Sequence, residues 1–281
     1  TIDEINKFLE FININFINYN FNENIIDKNK ITISELNIYP IKSAQKQSVK
    51  SWSIDKNGLL YDRQWSLIDS DNKVIRLKKC PNLINLYPFI DIYSQNLIIR
   101  YKNQNITIDI SNNPEESVIQ QQCICNNYGY VYNNTINNWL SKHLEINCRL
   151  IRSKLNENFQ NEGELLLINE SSVNELNSRC NYNYNCSIFR PNIVIKGITE
   201  YSEDLINSIE NTENKFIFKK KCKRCNMINV DSDTGIIDSS EPLLTLSKYR
   251  RDKGNIYFGI IMNIEYSKKI NVNDIFTINH Q

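Results

Sequence analysis

The sequence has few of the residues that build several common functional sites. Its 281 residues include only seven glycines and two histidines, His143 and His280. Seven scattered glycines do not form a P-loop or a dinucleotide-binding fingerprint, and two histidines exclude a histidine-rich metal site. An excess of one charge is also lacking, because 33 basic and 32 acidic residues leave a net charge of +1. The chain therefore has no global field that favours nucleic acid, and any anion site must be local.

Long apolar segments are missing as well. No apolar run approaches the ~18–20 residues that a membrane-spanning helix needs, so we expect no membrane partner. The opening residues have neither the basic nor the hydrophobic region of a signal peptide, and no initiator Met is present. We therefore expect a fragment of a longer cytoplasmic polypeptide. Its eight cysteines are scattered through a chain too large to need disulfides, which indicates reduced cytosolic thiols.

The apolar pattern changes along the chain from helical to β-type. Residues 1–17 have the spacing of an amphipathic helix, and the polar segment after it predicts that residues 1–30 are the tail of a preceding domain plus a linker. Short β-type runs follow at residues 31–38, 49–54, 64–69, 73–77, 96–101 and 105–110. They predict a small, largely antiparallel barrel or sandwich.

After Pro114 the pattern is mixed. We predict helices over residues 135–143 and 204–209, and a third that is capped by Ser171 or Ser172. We predict strands at residues 165–169, 193–195, 216–218, 258–264 and 275–278. There is no strict βαβ alternation and no repeat, so the predicted fold class is α+β and predominantly β.

The densest candidate for chemistry is the segment 219–225, in which five cations surround Cys222 and Cys225. Cationic neighbours favour thiolate over thiol, and a thiolate attacks sulfur or binds a soft metal. Three other interpretations compete. A zinc site would need a second ligand pair, a thioredoxin-type pair would need a helix after it where residues 227–230 look extended, and the segment could be a solvated basic turn with incidental cysteines.

Three further clusters carry polar groups suited to phosphate. Lys42 and Ser43 follow Pro40 at the end of a predicted strand and offer an ammonium and a hydroxyl. In the motif Tyr-Asp-Arg at residues 61–63, Arg63 could reach a phosphate or pair with the aspartate beside it. In residues 189–192, an arginine and an asparagine flank a rigid proline before a buried strand. Each cluster is equivocal by itself.

As an ordered set, these motifs resemble the MOSC proteins with their N-terminal β-barrel module. The resemblance runs from about residue 31 to 278 and rests on the following segments: Tyr-Pro-Ile-Lys-Ser at 39–43, Gly-Leu-Leu-Tyr-Asp-Arg at 58–63, Arg-Pro-Asn-Ile-Val at 190–194, Cys-Lys-Arg-Cys at 222–225, Asp-Ser-Asp-Thr-Gly at 231–235, Glu-Pro-Leu at 241–243, Thr-Leu at 245–246, Tyr-Arg at 249–250 and Phe-Gly at 258–259. It implies an N-terminal β-barrel module over residues 31–115 and a MOSC-type mixed β-barrel domain with peripheral helices over 116–281.

Within that family the chain is most similar to the C-terminal part of the eukaryotic molybdenum cofactor sulfurases. Residues 166–172 and the stretch 122–141 resemble that branch, and the leading helix resembles the end of a PLP-dependent, cysteine desulfurase-like domain. The resemblance implies that an upstream domain of the same polypeptide uses PLP to supply sulfur as a persulfide. The C-terminal region would hold molybdenum cofactor while an oxo ligand is replaced by sulfide, for xanthine dehydrogenase and aldehyde oxidase.

The resemblance also implies roles for single residues. Lys42, Ser43, Arg63 and Arg190 would hold the pterin phosphate and ring system, with support from Asn192; Lys223 and Arg224 would flank the metal; Cys225 would be the thiolate that touches molybdenum or receives sulfur; Cys222 is a second candidate thiol. One departure is Ala44, which stands where the family often has cysteine. Two alternatives remain within the same fold, an amidoxime-reductase-type enzyme with Cys225 as permanent metal ligand and a non-catalytic cofactor carrier.

Overall fold

The computed structural model describes residues 29–114, 117–121, 126–154, 158–159, 163–180, 182–231, 235, 237 and 239–280. The helix predicted over residues 1–17 lies outside the described residues, as does most of the predicted tail. The strands of the described residues are β1 (Lys30–Ile38), β2 (Gln47–Val49), β3 (Ser51–Asp55), β4 (Gly58–Leu59), β5 (Trp65–Ile68), β6 (Tyr87–Asp91), β7 (Asn96–Tyr101), β8 (Gln104–Asp109), β9 (Ser117–Gln121), β10 (Asn126–Val131), β11 (Arg149–Ser153), β12 (Leu165–Asn169), β13 (Ile193–Lys196), β14 (Ile206–Glu210), β15 (Lys215–Arg224), β16 (Arg251–Asp252), β17 (Asn255–Tyr266), β18 (Lys269–Asn271) and β19 (Ile275–His280). The α-helices are α1 (Asn134–Leu144), α2 (Glu170–Cys180) and α3 (Leu243–Tyr249).

Seven strands close into a mixed β-barrel. Their order is β12, β13, β1, β19, β14, β15, β17, and pairing of β17 with β12 closes the ring. Only the neighbours β12 and β13 of this ring run parallel, and the other pairs are antiparallel. The predicted class, predominantly β with a mixed barrel, is therefore confirmed. The first strand of the chain is part of this barrel, so β1 lies directly beside strands that come from residues 193–196 and 275–280.

Smaller antiparallel sheets come from the N-terminal half. Strands β6, β7 and β8 form a meander, and β5, β11, β10 and β9 form a four-stranded sheet. Strand β7 lies at the residues predicted from the sequence. Its residues Leu97, Ile99 and Tyr101 are buried, whereas Arg100 is exposed. That alternation is the period of a strand with one face on the core. The domain boundary near residue 115 stays a prediction, and β5 pairs with β11 across it.

Some predicted elements are wrong, and tertiary contacts explain them. Residues 73–77 form no strand; Val74 makes only an isolated bridge to Ile68. Residues 204–209 are not a helix, because the short 3₁₀ helix Ser202–Leu205 leads into β14, which pairs with both β15 and β19. Residues 227–230 are not extended, because Asn226–Asn229 is a 3₁₀ helix. Strand pairing and burial override local propensity in these segments.

The serines predicted to cap α2 lie inside its first turn. The helix begins at Glu170, and the Asn169 side chain accepts from the Ser171 backbone N–H at 3.2 Å. Ser172 instead donates its hydroxyl to both carboxyl oxygens of buried Glu203, at 2.7 and 2.9 Å. Asn169 also donates to that carboxyl group at 3.2 Å. Burial raises the pKa of Glu203, so this network ties α2 to the 3₁₀ helix at 202–205.

Gly259 allows β17 to pack closely on β12. A Cβ atom at this position would lie 2.3 Å from Ile168 Cδ1 and 2.7 Å from the Leu167 carbonyl oxygen. Its φ of +71° also lies in the left-handed region that favours glycine. The glycine of the Phe-Gly motif is therefore required by barrel closure, next to Phe258 of the candidate site.

Candidate functional site

The predicted phosphate-binding residues of the N-terminal half lie in two loops that are clamped together. The Arg63 backbone N–H donates to the Tyr39 carbonyl oxygen at 2.8 Å, and the Trp65 N–H donates to Pro40 at 2.9 Å. The Lys42 N–H returns a bond to the Trp65 carbonyl at 2.8 Å. These bonds bring the loop after β1 beside the turn that carries Arg63. The two motifs, separated in sequence, therefore form one surface.

Arg190 and Asn192, from the C-terminal half of the chain, also contribute to this surface. Arg63 donates one guanidinium nitrogen to Asn192 Oδ1 at 3.3 Å and another to the Arg190 carbonyl oxygen at 3.1 Å. Arg190 donates to the carbonyl oxygen of Ala44 at 2.8 Å. The structure therefore brings together Arg63, Arg190 and Asn192, with the loop of Lys42 and Ser43 beside them. We call Tyr39, Asp62, Arg63, Arg190 and Asn192 the arginine cluster.

Tyr39 is the platform on which both arginines rest. The guanidinium carbon of Arg63 lies 4.7 Å from the ring centroid of Tyr39, and that of Arg190 lies 4.3 Å from it. These are cation–π distances, and such contacts stabilise by about 0.5–2 kcal/mol each. The ring is almost fully buried. The sequence carries no signal for this role of Tyr39, because local patterns do not specify which distant side chains stack on an aromatic ring.

The charge of the arginine cluster is only partly balanced. Asp62 is fully buried, accepts from the Tyr39 backbone N–H at 2.8 Å and forms an ion pair with Arg63. Arg190 forms no ion pair among the described residues. Burial, together with the positive charge of Arg63, lowers the pKa of Arg190 to about 10. Arg190 therefore remains a cation at neutral pH, and the carboxylate of the cluster, Asp62, is paired with Arg63 rather than with it; such a cation suits an anionic ligand.

Asn192 helps to hold the Arg63 side chain in place. It is almost completely buried, and its Oδ1 accepts from the Leu166 backbone N–H at 3.2 Å as well as from Arg63. Its Nδ2 donates to the carbonyl oxygen of Asn37 at 3.3 Å. Asn192 thus links β12 and β1 to the Arg63 side chain, and its carboxamide is already committed to these partners.

Lys42 points into the protein. Its ammonium donates to the Phe159 carbonyl oxygen at 2.7 Å, and the side chain is buried. Ser43, the next residue, has a φ of +72°, and Arg63 and Arg190 have values of +51° and +56°. A non-glycine residue in this region costs about 1–3 kcal/mol and persists only where its surroundings hold it. Backbone bonds from Arg63 to the Tyr39 carbonyl and from Arg190 to the Ser187 carbonyl hold two of these conformations.

The two candidate thiols differ in environment. Cys222 lies inside β15 and is packed in an apolar cluster that includes Phe189, Phe258 and Leu246. Cys225 directly follows the strand and is exposed. Only Cys225 is therefore accessible to a ligand or a sulfur donor from solvent. Which thiol reacts stays a prediction, and the exposed position favours Cys225.

Arg224 connects Cys225 to the arginine cluster. Its guanidinium donates twice to the Phe258 carbonyl oxygen, at 2.9 and 2.8 Å, and once to the Phe189 carbonyl oxygen, at 3.1 Å. Phe189 and Phe258 stack with ring centroids 4.2 Å apart. Phe189 directly precedes Arg190, and Arg224 directly precedes Cys225, so this hydrogen bond links the two segments that carry the predicted site residues. Lys223, in contrast, is exposed at the strand edge.

Within the described part of the chain, no cluster of three or more His, Cys, Asp or Glu side chains is suited to hold a metal ion. Nor does any helix of that part combine the length and hydropathy that spanning a membrane requires. Cys123 and Cys125, two further cysteines, lie outside the described residues. Among the described residues, the candidate site therefore consists of the arginine cluster, Arg224 and the exposed thiol of Cys225.

Two domain families match the chain in sequence. The MOSC N-terminal beta barrel domain matches residues 30–147, and the MOSC domain matches residues 154–277. Molybdenum cofactor sulfurase of Oryza sativa subsp. japonica is 33% identical over 94% of this chain and 38% of its own length. The sulfurase of Solanum lycopersicum is 28% identical over 96% of this chain and 39% of its own length. The chain thus spans less than two fifths of these relatives.

Among solved structures, the YuaD protein of Bacillus subtilis aligns with 90% of this chain and 97% of its own, with 9% identity and a TM-score of 0.44. The two sequence matches together cover most of the chain and include every residue of the arginine cluster, Arg224 and Cys225. The chain therefore belongs to the MOSC family, as a protein that joins a MOSC N-terminal β-barrel domain to a MOSC domain.

Proposed function

We propose that the chain binds molybdenum cofactor as a substrate and takes part in its sulfuration. In this reaction a terminal oxo ligand of molybdenum leaves as water and is replaced by sulfide. The sulfur arrives as a persulfide, and a thiol reductant supplies the two electrons that convert it to sulfide. An upstream PLP-dependent cysteine desulfurase-like domain of the same polypeptide would supply that persulfide, and xanthine dehydrogenase and aldehyde oxidase would receive the product. The names of the curated relatives support a connection with molybdenum cofactor sulfuration.

One observation carries the proposal. Arg63 and Arg190, 127 residues apart in sequence, stack on the same ring. Arg224, the residue before the exposed Cys225, donates a hydrogen bond to the carbonyl oxygen of Phe189, the residue before Arg190. A guanidinium presents a planar set of donors that matches the oxygens of a phosphate. The pterin of molybdenum cofactor carries such a phosphate, and its metal carries the ligand to be exchanged. Arg190, which has no ion pair among the described residues, would therefore anchor the phosphate.

The other candidate residues would orient the cofactor or accept the sulfur. Arg63 would contribute a second guanidinium to the phosphate, Ser43 a hydroxyl, and Lys42 an ammonium once its bond to the Phe159 carbonyl is exchanged. Lys223 would lie near the metal, and Arg224 would hold the site's two loops in place. Cys225 would accept the sulfur, because the thiolate is the nucleophilic form of cysteine. The desulfurase half is a separate activity that we do not expect from this chain.

The binding test is affinity for the cofactor. The chain is purified from a cofactor-competent host, and bound molybdenum and pterin are measured by mass spectrometry. Arg190→Ala should lower affinity at least about tenfold, since a charge-assisted contact is worth roughly 1.5–3 kcal/mol. Arg100→Ala, at an exposed position of β7, is the matched control and should bind normally. Equal affinity of the Arg190 variant and wild type would remove Arg190 from the site.

The transfer test is sulfuration of bound cofactor with a cysteine desulfurase, L-cysteine and a thiol reductant. Cys225→Ser should bind cofactor but not support transfer. Cys180→Ser, which changes a partly buried cysteine on α2, should support it at the normal rate. Full sulfide transfer by the Cys225 variant would contradict its assignment as the accepting thiol.

A further inference from the structure

A second group of cationic side chains lies outside the arginine cluster, and of its members only Lys223 has a role in the function proposed above. It is an open cleft of about 600 Å³ between β15, β17, β16 and the end of α3. Its lining includes six basic side chains, Lys219, Lys220, Lys221, Lys223, Arg250 and Arg251. Only two acidic side chains, Asp204 and Asp252, line it with them. We call this cleft the lysine groove.

The lysine groove concentrates positive charge in an otherwise acidic chain. Six basic and two acidic side chains leave four positive charges in the groove, whereas the whole chain has a net charge of +1. The remainder of the chain is therefore net negative. A local field of this kind raises the encounter rate with oppositely charged partners.

One wall of the groove is fixed by internal ion pairs. The Asp204 carboxylate accepts from Lys221 at 2.9 Å and from Arg250 at 2.8 Å. Arg250 also donates to the Tyr257 carbonyl oxygen at 3.1 Å and stacks on the Tyr201 ring at 4.5 Å. Both Asp204 and Arg250 are mostly buried, with side-chain exposures of 10% and 13%. This wall is structural, so Lys221 and Arg250 are not the groups that a ligand would meet first.

Three other cations of the lysine groove face solvent. Lys219, Lys223 and Arg251 are exposed and form no ion pair among the described residues. Lys219 and Lys223 lie four residues apart on β15, which is bulged between Phe218 and Lys220 and between Lys221 and Lys223. The groove thus presents several positive charges to solvent along one strand, where they complement acidic side chains on a bound segment.

The lining of the groove ends two residues before the exposed thiol in sequence, since Lys223 belongs to it and Cys225 follows β15 directly. The chain from Lys219 to Cys225 spans at most about 20 Å. A segment docked along the groove would therefore carry its next residues to the Cys225 sulfur. This geometry distinguishes the groove from a basic surface placed at random.

We propose that the lysine groove docks an acidic segment of the protein that presents persulfide sulfur to Cys225. The inference rests on the proposed function and names the chemistry of the donor. The Cys225 thiolate attacks the terminal sulfur of the donor persulfide, the donor's S–S bond breaks as a new S–S bond forms at Cys225, and the donor leaves as a thiolate. One S–S bond replaces another, so no external oxidant or reductant takes part in this step.

The test compares two short synthetic peptides that each carry one cysteine persulfide. In one peptide the cysteine follows a run of alternating glutamates, and in the other each glutamate is replaced by glutamine. Transfer is followed as the gain of one sulfur atom on the Cys225 peptide by mass spectrometry. The acidic peptide should transfer sulfur about tenfold faster at low salt, and the advantage should shrink at high salt, where the screening length is only a few ångströms.

Charge reversal locates the effect. Lys219→Glu/Arg251→Glu should abolish the advantage of the acidic peptide, and cysteine persulfide itself should react equally with this variant and wild type. The matched control is Lys56→Glu/Arg100→Glu, which reverses one exposed lysine and one exposed arginine far from the groove in sequence and should keep the advantage. Equal rates for both peptides, or an advantage that survives in the groove variant, would overturn the proposal.

The same experiment separates this proposal from the function it rests on. Cofactor affinity is measured for the groove variant and wild type in parallel. If neither binds cofactor while the acidic peptide keeps its advantage in wild type, the cofactor assignment fails and the docking groove stands. If a single-stranded oligonucleotide blocks transfer from the cysteine persulfide, which has no acidic segment, the groove serves nucleic acid and the proposal is rejected.

Discussion

Replacement of Tyr39 tests whether a shared aromatic ring organises the arginine cluster. Tyr39→Leu removes the ring but keeps a large apolar side chain in the buried position, whereas Tyr39→Phe keeps the ring and removes only the hydroxyl. In the structure both guanidiniums lie within 4.7 Å of the ring centroid. Tyr39→Leu should therefore release Arg63 and Arg190 from their platform, and Tyr39→Phe should not.

The magnitude follows from the two contacts. At about 1 kcal/mol for each partly buried cation–π contact, loss of both removes roughly 2 kcal/mol of organisation from the cluster. If that energy holds the guanidiniums in their binding positions, affinity for the cofactor should fall about 30-fold. Removal of the hydroxyl alone should have a different effect, because Tyr39 Oη is buried and has no hydrogen-bond partner in the described part of the chain. Its removal should stabilise the fold by about 1 kcal/mol or leave it unchanged.

Two assays separate these effects. Cofactor affinity is measured by pterin fluorescence, and the free energy of unfolding by urea titration. Tyr39→Phe should bind like wild type, while Tyr39→Leu should bind weakly and still unfold cooperatively. The reasoning is refuted if Tyr39→Leu binds as tightly as wild type. It is also refuted if Tyr39→Phe loses as much affinity as Tyr39→Leu, because the hydroxyl would then be the important group.

The other predictions concern packing, pH and thiol access. Gly259→Ala should lower the free energy of unfolding by at least about 2 kcal/mol more than Gly254→Ala, since both glycines have positive φ but only the first is crowded; equal losses in urea titrations would refute this. The raised pKa of Glu203 contributes stability that is present below its ordinary pKa and is lost as pH rises through the folded value. Glu203→Gln should therefore gain stability relative to wild type as pH rises from 4.5, and parallel pH profiles would contradict it. A thiol reagent followed by peptide mapping should label Cys225 much faster than Cys222 in the folded chain, and equal labelling would show that the thiols are not distinguished by burial.

Local patterns in the sequence were sufficient to predict a strand where its burial follows from alternating or continuous apolar residues. Strand β7 alternates buried and exposed residues, and β12 is a continuous apolar run, so both were predicted at their observed positions. The motif residues Arg63, Arg190, Asn192 and Cys225 could also be named, because their side chains carry recognisable chemistry. Residues 204–209 failed because pairing with two distant strands, rather than local spacing, determines their conformation.

The sequence by itself determined the inventory of the site, namely two arginines, an asparagine, a lysine–serine loop and a thiol, and the β-rich class of the fold. Only the tertiary structure decided that Arg63 and Arg190 share the ring of Tyr39, that Cys222 is buried while Cys225 is exposed, and that six basic side chains line one groove. The physical reason is barrel closure. It brings segments more than 120 residues apart within hydrogen-bond distance, and no local property of either segment specifies that contact.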